Sequence, residues 1–198
     1  LYQNCRNTSA ISQTSLTPLQ LPQKRWSGSK VIDPWSVRVE KPVFHLLDDE
    51  SLIVETVNKV LDDLQAKDVT DIVLLTVGTM AYTALRDGLE SLDEGADKYW
   101  YYCYKRKRYR MTTAQRFKGL EATAIIMVDL KPDSFAGKNG MVFYVGASRA
   151  KLFLDFVAVI PEGEYKNVIQ SVKETEPVNK SAKRLRNVIQ DLFHAKVE

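Results

Sequence analysis

The sequence predicts an α/β fold of three layers, a mostly parallel sheet flanked by helices. Two observations point there. Predominantly apolar runs at 42–47, 72–77, 124–130 and 153–160 have the length and character of strands, and the continuous run at 72–77 fits one covered on both sides. Between them lie segments with helix-like spacing of apolar residues, and an alternation of strand and helix is the pattern of parallel strands joined by crossovers. A chain of 198 residues, 44% of them hydrophobic, can bury one sizeable core. We read one domain over 1–160 and a C-terminal helical extension over 161–198.

Taken in order, residues 1–20 read as a short helix followed by a loop. Pro, Gly and Ser breakers make 21–41 mostly irregular, with room for a short strand. The run at 42–47 is a strand. Ile53, Val54, Val57, Val60, Leu61 and Leu64 then share one helical face. Asp71 introduces the strand IVLLTV, and 79–89 reads as a helix with Gly88 close to its end. An acidic turn, SLDEGADK, leads into YWYYCYKRKRYR (99–110). The strand at 124–130, a helix at 141–151 and the strand at 153–160 complete the sheet. Beyond Pro161 the composition turns polar, until Leu185, Val188, Ile189 and Leu192 mark an amphipathic helix with Lys180, Lys183, Arg184 and Arg186 around its start.

The net charge of +3 is too small to prove a nucleic-acid partner by itself, so its distribution matters more. The two cysteines, Cys5 and Cys103, are far apart and offer neither a disulfide framework nor zinc spacing, which fits a reducing, cytoplasmic setting. No apolar run approaches the length of a membrane span, and no membrane partner is expected. The chain opens at Leu1 in a polar segment, and we expect it to be a piece of a longer protein.

Three segments stand out: QNCRNT (3–8), TAQRFKGLE (113–121) and YVGASRAK (144–151). Each places a cation or small polar group at a junction of strand and helix, a kind of position where open parallel sheets bind ligands. Arg6 and Arg149 matter most, because a guanidinium fork holds phosphate oxygens in pairs and stays charged. In this order the three segments resemble motifs IV, V and VI of the UvrD/Rep-type superfamily 1 DNA helicases, and they frame residues 3–151. The resemblance implies the second, RecA-like domain of such an enzyme. ATP with Mg²⁺ would be held mainly by the first RecA-like domain of the same parent chain, and this half would form the far wall. On that reading Arg6 and Arg149 are arginine fingers toward the γ-phosphate. Gln3, Gly119 and Glu121 join them on the nucleotide side, and Thr113 and Gln115 touch the backbone of single-stranded DNA. Two positions depart from the family: Cys5 stands where a tyrosine stacks on adenine, and Gln115 stands in place of a histidine, keeping the ability to donate a hydrogen bond.

The sequence contains no G-x-x-x-x-G-K-[ST], so the loop and lysine that cradle β- and γ-phosphates are missing from this chain. Asp48, Asp49 and Glu50 imitate a metal-binding strand end, but read better as caps for the following helix; no metal ligands are assigned. About twenty residues separate the 79–89 segment from Thr113, too few for the large insertion of UvrD-type proteins. The 99–110 stretch has two readings. Aromatic faces with interleaved cations suit single strands, which would recruit Trp100, Lys105 and Arg106. The favoured alternative is a β-hairpin whose aromatics pack and whose basic run blunts an edge. His45, His194 and Cys103 read as structural. The functional expectation is therefore half of an ATP-dependent DNA translocase, silent alone. The rival is a non-catalytic nucleic-acid-binding module of the same fold.

Overall fold

The computed structural model describes residues 3–4, 7–19, 30–31, 40–94, 97–173 and 181–198. A short parallel pair, β1 (Gln3–Asn4) and β2 (Lys30–Val31), stands apart from the main sheet. That sheet contains β3 (Val43–Leu47), β4 (Ile72–Thr76), β5 (Leu89–Glu94), β6 (Asp97–Tyr104), β7 (Lys107–Thr113), β8 (Ala122–Leu130), β9 (Ala150–Val159) and β10 (Lys196–Val197). The helices are α1 (Ser9–Leu16), α2 (Ile53–Ala66), α3 (Gly137–Ala147), α4 (Tyr165–Val172) and α5 (Ala182–Phe193). Spatial order is β10-β3-β9-β8-β4-β7-β6-β5. From β10 to β7 all neighbours are parallel, while β7, β6 and β5 meander antiparallel. A mostly parallel α/β sheet flanked by helices is thus present, consistent with a RecA-like domain.

Strand alternation divides the core into two. On one face Val73, Leu75, Ile125, Met127, Leu154 and Phe156 meet apolar residues of α1, α3, α4 and α5. On the other, Ile72, Leu74, Ala124, Ile126 and Val157 meet Ile53, Val57, Val60, Leu61 and Leu64 of α2. Hence α2, carrying the chain from β3 to β4, and α3, carrying it back from β8 to β9, lie on opposite faces. Right-handed crossovers running in opposite directions along the sheet require this. Residues 165–173 and 181–197 belong to the same fabric: Tyr165, Val168, Leu185, Ile189 and Phe193 join the core of Phe44 and Phe156, and β10 extends the sheet beside β3. Thr14 and Thr17 of the first segment donate to the carbonyls of Phe193 and Leu192 (2.7 and 3.3 Å), satisfying the end of α5.

The helix read at 79–89 does not form. That stretch is a loop with one 3-10 turn (Arg86–Gly88) leading into β5. Side-chain oxygens take the backbone N–H groups a helix would use: Thr76 accepts from Gly78 (3.2 Å), Thr83 from Leu85 (3.3 Å) and Asp129 from Ala84 (3.1 Å). The helix read at 141–151 runs earlier, over Gly137–Ala147, and Lys151 already lies in β9. The 99–110 stretch is a hairpin, β6 to β7, turning at Lys105 and Arg106, both with positive φ (46° and 61°). Asp49 caps the turn before α2, accepting from the Ser51 N–H at 2.8 Å, and the Ser51 hydroxyl, followed by that N–H, holds its carboxyl below the ordinary carboxylate range.

Candidate functional site

Segments far apart in sequence converge where β8 and β9 begin. β8 starts at Ala122 and β9 at Ala150, and the two residues are register partners. The residues just before them are therefore neighbours: the Ala122 N–H donates to the Arg149 carbonyl at 3.2 Å. Glu121 and Lys151 approach to 3.8 Å, tying the TAQRFKGLE and YVGASRAK segments together. The QNCRNT segment reaches the same place, because the buried Asn7 amide donates to the Ser148 carbonyl at 3.3 Å. Arg6 and Cys5 lie outside the described residues, and of Gln3 only the backbone in β1 is described.

Two glycines explain how the segments fit. Gly146 of α3 lies against β8 and the 114–120 loop; a Cβ there would come within 2.8 Å of Met127 Cε and 3.1 Å of Ala114 Cβ. Gly119 has φ +90°, a conformation side chains resist, and its loop lets Glu121 enter β8 beside Arg149. Gly119, Leu120 and Glu121 are thus drawn to the edge that holds Arg149.

Arg149 follows the last turn of α3, and its Nε donates to the Val145 carbonyl at 3.1 Å. This caps a helix end where a cation is favoured. No ion pair involves Arg149 among the described residues, so the carboxylate partner that a purely local role suggests is not found there. The side chain is half-buried.

Thr113 and Gln115 are elsewhere. Thr113 ends β7 and pairs in register with Thr76 at the end of β4, and the Ala114 N–H donates to the Thr76 carbonyl at 2.9 Å. Residues 114–121 then cross the sheet, with Phe117 buried beneath them, so their two ends sit on opposite edges. The sequence reading put all three segments at the edge where open sheets bind ligands. Instead, Arg149 and Glu121 occupy the edge where strands begin, and Thr113 and Gln115 the carboxyl edge. The reason is that Arg149 follows a helix and precedes a strand.

The carboxyl edge carries features that sequence reasoning missed. Leaving β4, the chain packs toward the α2 side (Met80, Ala84, Leu85); leaving β8, it packs toward α3 (Phe135). A crevice of about 300 Å³ opens between, lined by Thr76, Gly78, Thr79, Tyr82, Asp129, Lys131 and Asn139 among others. Such a switch point is where open α/β sheets receive ligands. Asp129 organises it, accepting from the Thr76 hydroxyl (2.6 Å) and the Ala84 N–H, with φ +61° at a bulge in β8. Its signal in the sequence was a lone carboxylate inside an apolar strand. Among the described residues no group of three or more His, Cys, Asp or Glu could hold a metal, and no helix is long and apolar enough to cross a membrane.

No family model and no curated protein matches this chain. Solved structures similar to it include two from helicase and terminase proteins. One is the C-terminal domain of a possible DNA helicase from Lactobacillus plantarum WCFS1 (16% identity, TM-score 0.49, covering 79% of this chain and 88% of that one). The other is the large terminase of a thermophilic bacteriophage (10% identity, TM-score 0.41, 93% of this chain). The chain spans 52% of the terminase.

Proposed function

We propose that this chain is the second RecA-like half of an ATP-dependent superfamily 1 DNA helicase, supplying arginine fingers to a nucleotide held by a first RecA-like half. The observation that supports it is the convergence of QNCRNT, TAQRFKGLE and YVGASRAK through Asn7, Ser148, Ala122 and Arg149. Arg149, with Arg6, neutralises charge on the γ-phosphate; a guanidinium does this at any physiological pH. Glu121 and Gly119 shape the adjoining turn on the nucleotide side, with Gln3 in the neighbouring segment. This half provides transition-state charge, and the other half, carrying the phosphate loop that this sequence lacks, provides metal and phosphate grip.

Single-stranded DNA runs along the carboxyl edge, where Thr113 and Gln115 offer neutral hydrogen bonds to phosphates. The 114–121 crossover links that edge to Arg149, so movement at either end is felt at the other. In the full-length parent, Thr113→Ala combined with Gln115→Ala is expected to weaken single-strand binding about tenfold, from two lost hydrogen bonds of about 0.5–1.5 kcal/mol each. The salt dependence should hold, because neutral contacts release no counterions. Anisotropy titrations at several salt concentrations measure both; unchanged affinity would remove this edge from the DNA path.

A further inference from the structure

We propose that the face of β5, β6 and β7 turned away from α2 binds single-stranded nucleic acid, with Tyr101 as a stacking platform and Arg108 and Arg110 as phosphate contacts. This rests on the nucleic-acid reading above and extends its path.

Alternation sorts the aromatic-basic hairpin into two faces. Tyr102 and Tyr104 donate to Asn58 (2.9 Å) and Asp62 (3.0 Å), and the Gln65 amide donates to the Tyr109 hydroxyl. That face belongs to α2. Trp100 has the same parity and is the register partner of Met111, a member of the α2 core. Lys105, in the turn, is ion-paired with Asp62 at 2.8 Å. Of the hairpin residues that sequence reasoning chose for DNA, Lys105 is therefore ion-paired with α2 and Trp100 has the parity of the α2 face, while Arg106 is exposed at the turn.

The opposite parity is built differently. Glu90, Tyr101 and Arg110 form one row across the three strands, and Cys103 and Arg108 are partners in the next. Arg108 pairs with Glu90 at 3.1 Å, and the Arg110 guanidinium lies 5.8 Å from the Phe117 ring centroid. Phe117 belongs to the core opposite α2, which fixes this as the other side of the sheet. Tyr101, Cys103, Arg108 and Arg110 join neither core cluster. A partly exposed ring in register with Arg110, and one row from Arg108, offers a face on which any base can stack, with cations to follow the backbone. The face is continuous with the path already proposed: β7 ends at Thr113, and the next loop exposes Gln115, Arg116 and Lys118. Among the described side chains of this face and of the loop after it, the cations Arg108, Arg110, Arg116 and Lys118 outnumber the carboxylate Glu90, which suits a polyanion.

The test is the affinity of the 198-residue chain for a fluorescent oligo-dT strand across a salt series, with melting temperatures on the same samples. Tyr101→Leu keeps an apolar side chain and loses the aromatic face, so the Kd should rise about tenfold, whereas Tyr101→Phe should match the parent. Arg108→Gln with Arg110→Gln should lower the salt slope by up to about 1.4. Glu90→Gln removes the competitor for Arg108 and should tighten binding about two- to fivefold, a gain that a structural role would not give. Tyr102→Phe, on the α2 face, should leave the Kd alone. Unchanged affinity in the Tyr101 and arginine variants, with weakened binding in Thr113→Ala/Gln115→Ala, would overturn this proposal and leave the helicase reading standing. No binding by the unaltered chain would overturn this proposal and the DNA-contacting role of the isolated half together.

Discussion

In the full-length parent, Arg149→Ala is expected to lower DNA-stimulated kcat for ATP by about 10³–10⁵, or roughly 4–7 kcal/mol. The size follows from what the position offers. Arg149 is half-buried at the start of β9, its Nε is fixed on the Val145 carbonyl, and the Glu121–Lys151 pair beside it takes the local carboxylate. A fork held this way meets transition-state charge with little reorganisation. Arg149→Lys keeps the charge and loses the paired geometry, so it too should lose most of the effect. The KM for ATP should move little if, as proposed, the other half holds the ground-state nucleotide. If Arg149 serves only to cap α3, the Ala variant should cost about 1 kcal/mol of stability and leave kcat unchanged. Steady-state kinetics and a denaturation curve on the same variant separate the two.

The second large effect is on the fold. Phe156 is fully buried, with the rings of Phe44 and Phe143 stacked at 4.3 and 4.8 Å, and this cluster joins β3, β9 and α3 to α5 through Phe193. Phe156→Ala should cost about 3–5 kcal/mol, since it loses the transfer term and leaves a cavity among large rings that cannot close over it. Domains have about 5–15 kcal/mol in all, so a large part of the stability would go. Met141→Ala, at a half-exposed site, should change stability by no more than about 0.5 kcal/mol. Urea unfolding of both variants checks the contrast; a Phe156→Ala loss below about 1 kcal/mol would mean the two-face core is wrongly described.

How much of this was legible in the sequence differs by element. The buried strands announced themselves because both faces of a parallel sheet are covered, leaving unbroken apolar runs such as those within 72–76 and 122–130. Helices α2 and α5 were legible from one-sided apolar spacing. The 79–89 loop was not, because its apolar residues mimic that spacing while the hydrogen bonds that unmake the helix come partly from Asp129, some 45 residues away. α4 was hidden in a polar stretch whose few apolar positions, Tyr165, Val168 and Val172, matter only against the core. The convergence of segments V and VI was legible as motif order, but their edge of the sheet was not: that depended on whether each segment leaves a strand or enters one. In the hairpin, the parity that separates Trp100 from Tyr101 could be read only once α2 had shown which face it covers.

On the proposed function, this half contributes charge to a nucleotide it does not itself hold. ATP turnover measured on the 198-residue chain and on the full-length parent, each with and without single-stranded DNA, tests it most directly. No turnover is expected from the chain under either condition, and turnover by the parent should rise with DNA. Turnover by the isolated chain that is stimulated by DNA and lost in Arg149→Ala, or a parent that hydrolyses no ATP with DNA present, would contradict it.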